Sequence, residues 1–212
     1  MDIDTAIRGR RSIRKYRPDT VPEEVVRQIL DEARWAPSWA NTQSWKVWVV
    51  AGEGLARLKA ALRERARREV PPAPDLAMPA PEWPDEYKQR SGRLRASIAA
   101  AGSSGPVPFA DLLAAPCLLL IGFDDRLASN YASFDAGLLA QTICLAAHGK
   151  GLGTCIMARA VIYPDALREV VPNAEGKRFV IGIALGYPDL DAAANQFERE
   201  RVEVAEFVTW VR

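Results

Sequence analysis

The sequence predicts one domain that mixes helices with the strands of a buried sheet, and three observations predict it. First, Pro116 to Phe123 and Phe179 to Tyr187 are almost continuously apolar, as strands covered on both faces are. Second, Val25, Val26, Ile29, Leu30 and Ala33 repeat with helical spacing, and residues 131–148 are apolar nearly all round. Third, 212 residues with 49% hydrophobic and 26% charged side chains fit one domain, or one domain with an excursion, and suffice for a sizeable core.

Each element follows in order. Residues 2–8 form a short helix that leads into a basic loop. Pro22-Glu23-Glu24 opens a second helix, with Thr20 or Val21 near its cap and carboxylates at the positive end of the dipole; it stops before Pro37. Lys46 to Ala51 is a β-branched and aromatic strand, and residues 54–69 return to helix, with Arg63, Arg65, Arg67 and Arg68 on a solvated face. Prolines at 71, 72, 74, 79, 81 and 84 forbid regular structure. A helix follows over 85–100, then a Gly/Ser/Pro stretch, so 70–108 reads as an excursion from the core, a lid rather than a passive linker because Trp83 and Tyr87 give it something to pack. The apolar helix 131–148 must be covered on every side, which predicts a homodimer with this helix near the interface. The tail from Val202 to Trp210 reads as a last strand or an extended arm.

Composition excludes several classes. A net charge of +1 argues against a general nucleic-acid surface, and 132–148, interrupted by Asp135, Gln141 and His148, is too short and polar to span a bilayer. The start Met1-Asp2-Ile3-Asp4 lacks a signal-peptide core, so a cytoplasmic location is expected. Cys117, Cys144 and Cys155 lie in apolar or small-residue runs without CxxC spacing, which predicts buried thiols in a reducing compartment and no zinc site. His148, the sole histidine, ends a helix and suits capping better than catalysis. With one histidine, no Gly-x-Ser-x-Gly elbow and no carboxylate cluster, neither a metal centre nor a nucleophilic triad is built.

What chemistry remains lies in polar segments between apolar runs. Arg8 to Arg17 packs six cations into ten residues, which suits either an anion held by Arg10, Arg11, Ser12 and Arg14 or a solvated basic face. Gly149-Lys150-Gly151-Leu152-Gly153-Thr154 is not a dinucleotide loop, because a helix precedes it rather than a strand; a helix C-cap and tight turn is its expected role. Few acids and bases beside an anion-binding loop suit an enzyme whose cofactor supplies the reactivity.

Together these segments resemble the FMN-dependent nitroreductase family, end to end apart from about 70–108. Arg10-Arg11-Ser12-Ile13-Arg14 is similar to the family's first flavin motif, Pro37-Ser38-Trp39-Ala40-Asn41-Thr42-Gln43 to the segment that contacts FMN across the dimer interface, and Gly151 to Ala158 to the segment whose backbone lines the isoalloxazine near N5. Arg199 and Arg201 fall where the family completes the phosphate site, and Gly186-Tyr187-Pro188 matches the close of the last core strand. The resemblance implies that Arg10, Arg11 and Ser12 reach the FMN phosphate and ribityl chain, that Arg14 lies by the N1 and O2 edge, and that Pro37, Ser38, Asn41, Gln43, Ile156, Met157, Ala158, Arg199 and Arg201 complete the cofactor site. Two departures stand out: Ser44 replaces a frequent proline, and Ala158-Arg159 replaces the common Gly-Gly or Glu-Gly. Arg159 either turns away or enters the substrate pocket and favours anionic substrates.

The same resemblance implies an α+β fold, a mixed central sheet flanked by helices in an intertwined homodimer, with 202–212 reaching toward the partner. It further implies an FMN-dependent NAD(P)H oxidoreductase of ping-pong mechanism. NADH or NADPH would reduce the flavin, and a nitroaromatic, a quinone or another electron-poor acceptor would then be reduced in a pocket walled by Trp39, Phe109 and Arg159. Such an enzyme needs placement more than acid–base groups, so no catalytic side chain and no metal ligand is expected. Reductive dehalogenation, oxidative flavin chemistry and a non-catalytic flavin-binding module are the alternatives.

Overall fold

The computed structural model describes residues 1–77, 82–101, 114–127 and 130–212. The chain divides into two compact units: Met1–Met78 with Val107–Asp189, and Pro79–Pro106 with Leu190–Arg212.

In the first unit, α1 (Ile3–Gly9) is capped by the Asp2 carboxylate, which accepts from Thr5 N, and α2 (Glu23–Ala33) starts directly after Pro22. The remaining elements are β1 (Trp45–Ala51), α3 (Gly52–Arg67), β2 (Cys117–Asp124), the long helix α5 (Asn130–Gly149), β3 (Gly153–Met157), α6 (Pro164–Val170) and β4 (Lys177–Gly186). The four strands pair antiparallel in the order β1-β2-β4-β3. A parallel relation comes from the bridge of Ser12 to Thr154, outside the named strands.

Alternation along β2 builds two cores. Leu118 and Leu120 join Leu55, Leu58 and Leu62 of α3 with Leu167 of α6. Leu119 and Ile121 join Val26 and Ile29 of α2 with Leu139, Ile143 and Cys144 of α5. The sheet is thus sandwiched between helices, the α+β arrangement expected. No helix among the described residues is long and apolar enough to cross a membrane.

Several details differ from the sequence reading. The short helix α6 escaped notice, although Pro164 opens its first turn and Asp165 follows. Arg65 is not on a solvated face: it donates to Asp165 Oδ2 (2.9 Å) and Glu169 Oε1 (2.5 Å), and so ties α3 to α6. The Pro-rich stretch begins as part of the first unit. Tyr163 Oη donates to Val70 O, Ala73 N to Ile162 O, and Asp75 accepts from Arg168 Nη2 (2.7 Å) and Phe179 N (2.9 Å). Proline bars regular structure but leaves neighbouring side chains free to anchor the loop.

The described part of the second unit contains α4 (Asp85–Ala100) and the C-terminal segment, which carries a 3-10 turn at Ala193–Asn195 and the four-residue α-helix α7 (Val204–Phe207). The tail is therefore not a strand over Val202–Trp210: Glu203 and Glu206 form a reciprocal capping box that stabilises one helical turn.

Candidate functional site

The site begins where α1 stops. The chain leaves the helix at Arg10 and runs beside β3, the edge strand of the sheet. Ile13 N donates to Thr154 O (2.8 Å), next to the Ser12–Thr154 bridge. The loop is further held by Tyr16, whose hydroxyl donates to Ile13 O (2.7 Å) and which bridges to Pro188. Gly153 permits this approach, because a Cβ there would lie 2.7 Å from Ile13 Cγ1 and 2.9 Å from its Cβ. At the start of β3, Gly151 takes a positive φ of 75° while Leu152 N returns to Ala147 O (2.9 Å). The glycine run is thus the helix stop and turn the sequence predicts.

This seam joins two sequence motifs. Arg10, Arg11, Ser12 and Arg14 are half-buried on one side, and Ile156 and Ala158 are exposed at the end of β3 while Met157 is buried. Burial, with the charge of Arg14 added, pushes the Arg11 guanidinium below its ordinary value. A guanidinium disfavoured by burial in this way suits an anion beside it. Beneath lie two thiols. Burial raises Cys155 against the opposing charge of Arg14 and a hydrogen bond from Ser12, and raises Cys144 against a hydrogen bond with Thr154. All three cysteines are buried and free, as expected. Burial also raises Tyr16 well above the phenol range. His148 occupies the last turn of α5, so close under α1 that a Cβ on Gly9 would lie 2.7 Å from its Nε2.

The segment Pro37–Gln43 has a different support. Ala40, Asn41 and Gln43 all take positive φ, of 47°, 56° and 46°, and strain of this kind persists only where surrounding bonds fix it. Gln43 N donates to Ser38 Oγ (3.0 Å) and Gln43 Nε2 to Asn41 Oδ1 (3.1 Å). Trp39 N donates to Asp135 Oδ1 (3.0 Å), from a carboxylate 1% exposed on α5. The Trp39 ring, itself 59% exposed, stacks on Tyr131 with centroids 6.0 Å apart. Sequence reasoning missed Asp135 as a site residue, although it is the one acid within an apolar helix. Ser44, which stands where proline is frequent, is buried, and its hydroxyl has no partner among the described residues.

Arg159 is the second residue of the helical turn Ala158–Val161 that directly follows β3. It is exposed with Ala158, while Ala160 and Val161 are buried. Phe109 lies outside the described residues. Arg199 and Arg201 belong to the second unit; Arg199 is half-buried, and Arg201 is exposed with Nη1 donating to Glu200 O (2.7 Å).

A model of the Nitroreductase family matches residues 7–187, which include the seam between the basic loop and β3. The chain belongs to the nitroreductase family. Its relatives include a chloronitrobenzene nitroreductase from Comamonas testosteroni, 32% identical over 99% of this chain and 96% of that protein. A nitrobenzene nitroreductase from Ectopseudomonas oleovorans is likewise 32% identical, over the same shares. Among solved structures, the FMN-dependent nitroreductase NfnB from Mycobacterium smegmatis, crystallised with NADPH, superposes with a TM-score of 0.89 at 28% identity, over 99% of this chain and 97% of that one.

Proposed function

We propose that this nitroreductase-family chain is an FMN-dependent NAD(P)H oxidoreductase that reduces nitroaromatics and similarly electron-poor acceptors. The observation that carries the reading is the seam at Thr154, which places the cationic loop Arg10–Arg14 alongside the exposed end of β3. Two guanidinium groups and a hydroxyl suit a phosphate dianion, and an exposed backbone edge at Ile156–Ala158 suits a planar ring. The residues present therefore fit FMN, and the relatives named for nitroarene reduction and the NADPH complex of NfnB support both substrates.

Bound FMN would supply hydride transfer from the nicotinamide and then to the acceptor. Arg10, Arg11 and Ser12 would hold the phosphate and ribityl chain; the family resemblance also gives Arg199 and Arg201 a phosphate role. Arg14 would place a fixed cation at the ring edge that gains negative charge. Ser38, Asn41 and Gln43 would present hydrogen-bonding groups from a loop already rigid before the cofactor binds, which lowers the ordering cost of binding. Trp39 and Arg159, both exposed, would face the acceptor, Arg159 attracting those that carry an anionic group.

A homodimer belongs to the same reading. Tyr131 and Phe134 of α5 are 61% and 64% exposed, and the tail leaves Phe207 and Trp210 at 67% and 75%. Large apolar side chains exposed on this scale mark association surfaces. The three free thiols suit the cytoplasm.

The test is steady-state oxidation of NADPH and NADH by the FMN-loaded protein under anaerobic conditions, with nitrobenzene and a benzoquinone as acceptors. Parallel double-reciprocal lines are expected, because donor and acceptor use the site in turn. Intersecting lines, or no acceptor-dependent turnover, would overturn the proposal.

A further inference from the structure

The second unit ties the run Glu198-Arg199-Glu200-Arg201 to α4. Glu198 and Glu200 line a cleft of about 600 Å³ against α4, together with Trp83, Tyr87 and Leu94; Arg201 also lines it, and Arg199 does not. Within this cleft Arg93 Nε donates to Glu200 Oε2 (2.8 Å), Ser97 Oγ to Glu198 O (3.1 Å), and Arg90 Nη2 to Glu206 Oε2 (3.4 Å). Arg90 also stacks over the Tyr87 ring, 5.3 Å from its centroid. The C-terminal end of the segment is fixed in turn, because Glu206 takes part in the capping box that starts α7.

These bonds run from one helix to three successive points of the segment, at 198, 200 and 206. Their common effect is to fix the backbone on either side of Arg199 and Arg201. Arg93 also occupies the carboxylate of Glu200, which stands between the two arginines in sequence and would otherwise compete with a phosphate for them. We propose that α4 is a positioning element of the flavin phosphate site, with Arg93 as its main contact and Arg90 and Ser97 in support. The proposal rests on the reading above that Arg199 and Arg201 hold the phosphate. On this account the helix within the 70–108 excursion does more than cover a substrate: its docking and FMN binding favour each other, as linkage requires.

The test is FMN affinity of the full-length apoprotein, by fluorescence quenching, for Arg93→Gln, Glu200→Gln and the double variant. Arg93→Gln is expected to weaken binding about two- to fivefold, the scale of an exposed ion pair. The double variant should recover toward the wild-type value, because removal of Glu200 also removes the competitor, and Arg93→Lys should retain most of the affinity. Long-range charge effects add independently in such a cycle and cancel, so a coupled result reports the pair itself. FMN should also slow tryptic cleavage within α4, and less so in Arg93→Gln. Purely additive changes in affinity, or cleavage indifferent to FMN, would overturn the proposal. Arg199→Ala and Arg201→Ala separate the two levels. If both leave FMN affinity unchanged, the phosphate reading fails and takes the proposal with it; if they weaken binding while the cycle shows no coupling, the positioning role alone fails.

Discussion

The two groups of arginines in this protein are placed by opposite means. Arg10, Arg11 and Arg14 ride on a backbone seam: Ser12 and Ile13 are stitched to Thr154 on a sheet edge, over glycine and buried thiols. Arg199 and Arg201 ride on a segment held by side chains, chiefly Arg93 with Glu200, whose exposures are 53% and 69%. A backbone ladder over a packed core tolerates little displacement, and solvent screens it weakly. An exposed ion pair contributes modestly and weakens with salt. On the proposed function, the first cluster would set whether FMN is bound at all, and the second would tune how tightly.

The largest effect is expected where the seam is forced open. Gly153→Val drives a side chain into Ile13, and overpacking of this kind costs about 1–3 kcal/mol of stability. FMN affinity should fall about a hundredfold or more, because several charge-assisted contacts, each ~1.5–3 kcal/mol, are displaced together. Isothermal titration with FMN and thermal unfolding check both; unchanged affinity would remove the seam from the account.

Next comes Arg11→Ala, which should weaken FMN about ten- to a hundredfold, as loss of one charge-assisted partner does. Arg11→Lys should recover part of it, since a point charge lacks the guanidinium fork. The weakening should exceed that of Arg93→Gln at every salt concentration, and the reverse order would break the comparison.

Asp135→Ala tests the other rigid loop. It leaves Trp39 N without its partner and should cost about 1–3 kcal/mol in stability, the cost of an abandoned buried donor. The KM for nitrobenzene should rise more than the Kd for FMN, because the proposed function has Trp39 face the acceptor. Denaturant melts and steady-state kinetics separate the two effects.

A smaller effect is expected at alkaline pH. Burial pushes the Cys117 thiol up to about 12 and raises Cys144 and Cys155 as well. An unfolded thiol ionises near pH ~8.5, so above that value the unfolded chain binds fewer protons than the folded one. Stability is therefore full below pH ~8.5 and falls as pH rises toward 12, with a limiting slope of about 1.4 kcal/mol per pH unit for each thiol. Urea midpoints between pH 8 and 10.5 should show the decline, and Cys117→Ala should flatten it. A stability independent of pH over this range would show that the thiols are not enclosed as described.

How much of this was legible in the sequence varies with the kind of signal. Pro116–Phe123 and Phe179–Tyr187 announced the two central strands because their apolar runs leave no alternative, and Arg10–Arg14 announced itself by charge density. The turn at Gly151 followed from the order of helix and glycines. What could not be read were contacts between distant residues: Arg65 with Asp165 and Glu169, Asp75 with Phe179 N, and Arg93 with Glu200. Nothing local marks an arginine as bridging rather than solvated, because the deciding carboxylate lies about a hundred positions away. Short α6 was hidden for another reason: seven residues give two turns at most, too few for periodicity to declare itself. The strand alternative for the tail failed by local chemistry, since Glu203 and Glu206 favour a helical turn.

The central claim is that the seam between the basic loop and β3 holds FMN. Its most direct test is the visible absorbance spectrum of the freshly purified protein, followed by identification of whatever heat denaturation releases. The account predicts a yellow protein that releases FMN, and an Arg11→Ala form that is purified largely colourless but folded. A colourless wild-type protein that also fails to bind added FMN would contradict it and leave Arg10–Arg14 as a solvated basic face.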